Sequence, residues 1–135
     1  MAITFSADDF GLSVGVNEAV ALALTQGVLT QTSLMVAAPA AADAVRWAKE
    51  MPGLKVGLHL VLVDGDSLLG HARLPHITGP DGKFGKNQAV LGVKYFFSPA
   101  ARRELRAEIR AQFAAFAATG SVSYTHLDVY KRQRR

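Results

Sequence analysis

The alternation of short apolar runs with helix-patterned segments restricts the fold of this chain most. Met1–Phe5 reads as a short buried strand, with Ile3 and Phe5 as its bulky apolar members. Ser13 is a natural N-cap for a helix running to about Gln26. Val16, Ala19, Val20, Ala23 and Leu24 recur there at helical spacing, and Gly27 is a stop. Leu29–Val36 reads as a second strand. Pro39 opens a second helix at the position where its missing N–H costs least. Ala41, Ala44, Val45 and Ala48 give that helix a narrow packing face, with Trp47 packing at its edge, and Pro52-Gly53 ends it. Lys55–Leu62 is the third strand. Strand, helix, strand, helix, strand with short joints is the signature of parallel βα units.

The rest is less regular. Asp64 to Ser98 shows no clear periodicity and many turn signals, including Gly79-Pro80-Asp81-Gly82. Connections that long are usually lids or binding loops. His71 and His76 lie within it, and loop histidines are not expected to be ligands. Gly92–Phe97, rich in aromatics, is expected to anchor the loop. Ser98-Pro99 starts a helix that runs to about Ala118. Leu105, Ile109, Phe113 and Phe116 form its expected apolar stripe. Arg102, Arg103, Arg106 and Arg110 fall on the remaining, solvated face, and Gly120 ends the helix.

Two carboxylates, Asp8 and Asp9, follow the first strand at once, with Gly11 behind them to let the chain turn. Catalytic groups of α/β proteins collect at the carboxyl ends of parallel strands. Neighbouring strand side chains point to opposite faces, so one carboxylate can hold a metal while the other takes a proton. Asp is also favoured as a turn cap, and spacing alone leaves both readings open. His59, in Gly57-Leu58-His59-Leu60, is a polar exception in an apolar run and needs a partner. It falls near the same end of its strand as the doublet. Neutral imidazole and carboxylate are ordinary zinc ligands, so Asp9 with His59 reads as half of a metal site.

Several function classes are excluded or weakened. Asp9-Phe10-Gly11 spells a kinase motif, but only eight residues precede it, with no room for the upstream kinase loops. There is no GxxxxGK[ST] phosphate loop and no Gly-x-Ser-x-Gly elbow. No apolar run is long enough to span a membrane, and no signal peptide is visible. With no cysteine there are no disulfides and no Cys-ligated metal, which fits a cytoplasmic protein. The net charge of +4 sits mostly in the last five residues. Setting aside Asp128 and the four basic residues of that tail leaves 11 Lys+Arg against 10 Asp+Glu. No nucleic-acid partner is expected.

The tail itself is anomalous. Ser121–Gln133, SVSYTHLDVYKRQ, can be encoded by DNA that is its own reverse complement from its second base onward. It resembles two copies of a transposon mosaic end joined head to head, a sequencing-library adapter. The expectation is that residues 1–120 are native sequence and 121–135 are translated adapter.

Ala7-Asp8-Asp9-Phe10-Gly11-Leu12-Ser13, Gly15-Val16-Asn17, Ser33-Leu34-Met35 and Val56-Gly57-Leu58-His59-Leu60 occur in that order. Together they resemble the YdjC-like carbohydrate deacetylases, over essentially all of residues 1–120. The stretch from Leu91 to Phe116 resembles most the hopanoid-biosynthesis-associated branch, HpnK. The resemblance implies an α/β fold, the first three βα units of a distorted (β/α) barrel. It also implies one divalent metal ion, magnesium or zinc, and hydrolysis of an N-acetyl group from an amino sugar. Asp9 and His59 would then be metal ligands, and Asp8 the catalytic base. In the hopanoid branch the substrate would be an N-acetylglucosaminyl hopanoid lipid. An oligomer stays open.

Family members carry a further strand with a His-rich segment that supplies a third ligand. Here the adapter-like sequence begins where that strand is due, and Thr125-His126-Leu127-Asp128 matches its start only superficially. A (β/α) barrel takes about 250 residues, so this chain is expected to be an inactive fragment of a deacetylase. Two other readings remain: a non-catalytic metal- or sugar-binding fragment, and a metal-dependent phosphate hydrolase.

Overall fold

The computed structural model describes residues 3–120. Its elements in order are β1 (Ser6–Phe10), α1 (Val14–Thr25), β2 (Gln31–Leu34), α2 (Ala41–Glu50), β3 (Lys55–Leu58), α3 (Gln88–Phe97) and α4 (Pro99–Ala118). The three strands form one parallel sheet in the order β1-β2-β3, as the alternation of elements predicts. The tail lies outside the described residues.

The first strand is displaced from its expected place. Ile3 and Phe5 are 74% and 48% exposed, whereas Phe10 is fully buried. The apolar anchor therefore lies beyond the Asp doublet, and β1 contains Asp8 and Asp9 rather than ending before them. Burying one such large side chain stabilises the fold by about 2–3 kcal/mol, which is what fixes this register. β3 is also shorter than expected and stops at Leu58, so His59 stands one residue past it. Its backbone amide still donates to Leu34 O at 2.9 Å.

Helices α1 and α2 pack with the sheet around Phe10, Val20, Leu34, Ala44, Leu54 and Val56. Ser13 caps α1 as expected, its Oγ accepting from Val16 N at 3.2 Å. α2 begins two residues later than Pro39 suggested, after Ala40, which makes no side-chain cap bond. Trp47 does pack at the core edge, with the Arg46 guanidinium 5.0 Å from its ring centre.

The long connection is not featureless. Met35, Val61, Leu74, Ile77, Phe84 and Ala101 form a second buried cluster, pinned by bridges between Asp66 and Lys83 and between Thr78 and Phe84. His71 Nδ1 lies 3.2 Å from Thr78 O, and His76 pairs with Glu104. α3 was not expected. Gly92, Val90, Val93 and three consecutive aromatics all weaken a helical signal, yet Asn87 caps the element through Val90 N. Within it Tyr95 does anchor the loop, donating its hydroxyl to Leu62 O at 2.8 Å, and burial raises the pKa of that phenol. Phe96 and Phe97 stay exposed.

α4 starts at Pro99 with Ser98 as its cap and ends at Ala118, as read from the sequence. Its buried stripe differs from the one expected. Ala101, Glu108, Gln112 and Phe116 are buried, while Phe113 is 43% exposed. Two polar residues tolerate burial because both are fully engaged. The Gln112 side-chain amide accepts from Val61 N at 3.0 Å and donates to Val61 O at 2.8 Å. Glu108 accepts from Leu68 N (2.7 Å), Leu69 N (3.0 Å) and Gln112 Nε2 (2.7 Å). α4 thus clamps the chain that leaves β3. No helix among the described residues is long and apolar enough to cross a membrane.

Candidate active site

The site begins with an irregularity in β1. Ala7 pairs with Thr32 and Phe10 with Leu34, so Asp8 and Asp9 together oppose Ser33 alone. This is a β-bulge, a device that re-aims side chains at strand ends. Asp9 carries the associated strain with φ of 64°, a left-handed conformation that Asp tolerates better than most residues. Simple strand alternation therefore does not separate the two carboxylates. The bulge turns both toward one hydroxyl and one imidazole.

Ser33 Oγ donates to Asp8 Oδ1 at 2.9 Å and lies 2.9 Å from His59 Nδ1. On the other side of the ring, His59 Nε2 is 3.6 Å from Asp9 Oδ1. The structure thus brings all three predicted residues, Asp8, Asp9 and His59, to one place. Asp9 and His59 open on a cleft that Met35 and the segment 60–64 also line. The Asp9 side chain is 52% exposed and that of His59 28%, so a ligand can reach both.

A cluster behind the bulge holds it in place. Gly11 has φ of 99°, donates its amide to Asn17 Oδ1 at 2.8 Å and accepts from Ala40 N at 2.9 Å. A Cβ at Gly11 would meet Met35 O at 3.1 Å and Ala41 Cα at 3.3 Å. Asn17 is fully buried and spends its two donors on Ala40 O and Asp43 Oδ2. That amide, and then Arg46, hold the Asp43 carboxyl below its ordinary pKa. One buried amide side chain thereby ties β1, α1 and α2 together directly beneath the carboxylates. Sequence reasoning gave no role to Ser33 or Asn17. Their signals are a hydroxyl inside a short central strand and an amide on the inner face of a helix.

Asp9 and His59 suit a divalent metal ion. Two zinc ligands about 2.0–2.1 Å from the ion, at a tetrahedral angle, stand about 3.4 Å apart, close to the observed 3.6 Å. Among the described residues, no three His, Cys, Asp or Glu side chains gather to hold a metal. Asp9 and His59 are two such side chains whose spacing suits one ion.

The family profile described as YdjC-like protein matches residues 2–131. A carbohydrate deacetylase of Brevibacillus brevis is 38% identical over 128 residues, covering 95% of this chain and 48% of the relative. One from Vibrio cholerae is 47% identical over 74 residues, covering 55% of this chain and 29% of the relative. A crystal structure from Enterococcus faecalis, described as a cellobiose-phosphate cleavage protein, matches with a TM-score of 0.74 at 27% identity. It covers 87% of this chain and 44% of its own. The chain spans about half the length of the curated relatives it matches.

Proposed function

The chain belongs to the YdjC-like protein family, and on that footing we propose that it forms one half of the active site of a metal-dependent carbohydrate N-deacetylase. The observation that carries this reading is the pairing of Asp9 and His59 across 3.6 Å with Asp8 held beside them through Ser33. The carbohydrate deacetylases among its relatives support a carbohydrate as the deacetylated substrate, and an N-acetylated amino sugar is the form that this reading assigns. An N-acetylglucosaminyl hopanoid lipid is the lipid-linked form of that substrate. The chain covers 48% and 51% of two carbohydrate deacetylases it resembles. On this reading the remaining metal donor lies outside the described residues, so the 135-residue chain alone is not expected to turn over.

A divalent cation, magnesium or zinc, held by Asp9 and His59 would acidify water and offset negative charge on the amide oxygen under attack. Asp8 takes the proton of the attacking water. It is the carboxylate that does not face the His59 Nε2 edge and is held beside it through Ser33. The bulge fixes its distance from the ligand pair, and the open cleft admits the acetamido group. The apolar segment 60–63 forms one wall of that cleft.

The test is a split between two variants in the full-length gene product. Asp8→Asn is expected to keep the metal and lose at least 100-fold in kcat, as loss of a general base does. His59→Ala is expected to lose the metal with the activity. An Asp8→Asn enzyme at wild-type rate would refute the assignment of the base. The Enterococcus description favours sugar-phosphate chemistry as a second reading. Against it, no lysine or arginine among the described residues lines the cleft to meet a phosphate. Release of inorganic phosphate from a phosphorylated disaccharide would decide for it.

A further inference from the structure

We infer that Ser33 is the positioning residue of this site, a single hydroxyl that sets the tautomer of His59 and ties that ring to Asp8. The inference rests on the metal-site reading above, but its first test does not.

The geometry allows two proton arrangements. Ser33 Oγ has one proton and two polar neighbours, Asp8 Oδ1 and His59 Nδ1, each at 2.9 Å. An ionised carboxylate only accepts, so the hydroxyl proton belongs to Asp8. The serine oxygen then accepts, and His59 must carry its proton on Nδ1. Nε2 is left with a bare lone pair facing the Asp9 carboxylate at 3.6 Å. Two acceptors facing each other across that gap are a seat for a cation.

In the alternative, Ser33 donates to Nδ1 and the proton sits on Nε2. Two longer contacts favour it: the Asp9 amide points at Nδ1, at 3.4 Å, and a proton on Nε2 would face Asp9 Oδ1 at 3.6 Å. The cost is an oxygen–oxygen contact of 2.9 Å between Ser33 and Asp8 with no proton between them. The shorter contacts decide. The first arrangement satisfies both bonds at 2.9 Å and gives up the two longer contacts, at 3.4 Å and 3.6 Å.

A metal-binding histidine normally donates its other N–H to a fixed acceptor, which orients the ring and settles the tautomer. That acceptor is usually a carboxylate, a carbonyl or water. Here it is a hydroxyl that is itself polarised by a carboxylate, so the base and the ligand share one hydrogen-bond chain. The backbone supports this placement. Ser33 sits on the central strand, between Thr32 paired to Ala7 and Leu34 paired to Phe10, opposite the bulge.

The direct measurement is a two-bond 15N–1H correlation spectrum of the metal-free 135-residue chain, at alkaline pH where imidazole is neutral. His59 is expected as the Nδ1–H tautomer in the wild type. It should move toward Nε2–H in Ser33→Ala and stay as Nδ1–H in Ser33→Thr, which keeps the hydroxyl. Calorimetric titration with zinc should show roughly 10-fold weaker binding or more for Ser33→Ala, with affinity restored in Ser33→Thr. A wild-type His59 found as Nε2–H overturns the inference. So does an Ala variant with unchanged tautomer and zinc affinity. The tautomer result stands even if the full-length protein proves not to deacetylate sugars, so the two claims fail separately.

Discussion

At the scale of single residues, the proposed site is built on a bulge of two aspartates opposite one serine. The sequence pointed to Asp8, Asp9 and His59 because charged or polar groups at strand ends need a reason. It placed Ser33 in a family-like motif but gave it no role, because a serine in a strand is unremarkable until its opposite number is known. Nor did it reveal that Asp9 is left-handed, since that depends on the register between β1 and β2. Gly11 is the residue on which the turn behind the bulge depends most. Its positive φ and the 3.1 Å approach to Met35 O leave no room for a methyl group. Gly11→Ala is expected to cost about 2 kcal/mol, read as a lower urea midpoint with unchanged slope. A midpoint within error of the wild type would mean that the turn relaxes freely.

At the scale of elements, α1, α4 and their serine caps were legible, because capping and helical periodicity are local. Strand boundaries were less so: β1 lay further along than its apolar letters suggested, since Phe10 outweighs Ile3 and Phe5 in burial. α3 was missed because its residues are poor helix formers, and it stands on tertiary anchors such as Tyr95 to Leu62. The inner face of α4 was misread for a related reason. Glu108 and Gln112 look like surface residues until the backbone they serve, Val61 and residues 68–69, is in place. Gln112→Leu keeps similar bulk but strands the amide and carbonyl of Val61 and one bond of Glu108. A loss of roughly 3 kcal/mol is expected in equilibrium unfolding. A variant as stable as the wild type would show that water replaces the clamp.

At the scale of the whole molecule, three sequential parallel strands and their helices make a sheet whose outer strands, β1 and β3, each have one neighbour among the described residues. Ile3, Val90, Val93, Phe96 and Phe97 are all more than half exposed. The order of elements from β1 to β3 was read correctly from pattern alone, since it needs no knowledge of distant contacts. Resequencing the source DNA across the codon for Gly120 tests the expectation that residues 121–135 are translated adapter. The measurement that bears most directly on the proposed function is acetate release from an N-acetylated chitooligosaccharide by the full-length gene product, before and after treatment with a chelator. Turnover that disappears on chelation and returns with added magnesium or zinc is the predicted result. Turnover indifferent to the chelator, or no acetate release from any N-acetylated sugar offered, would contradict it.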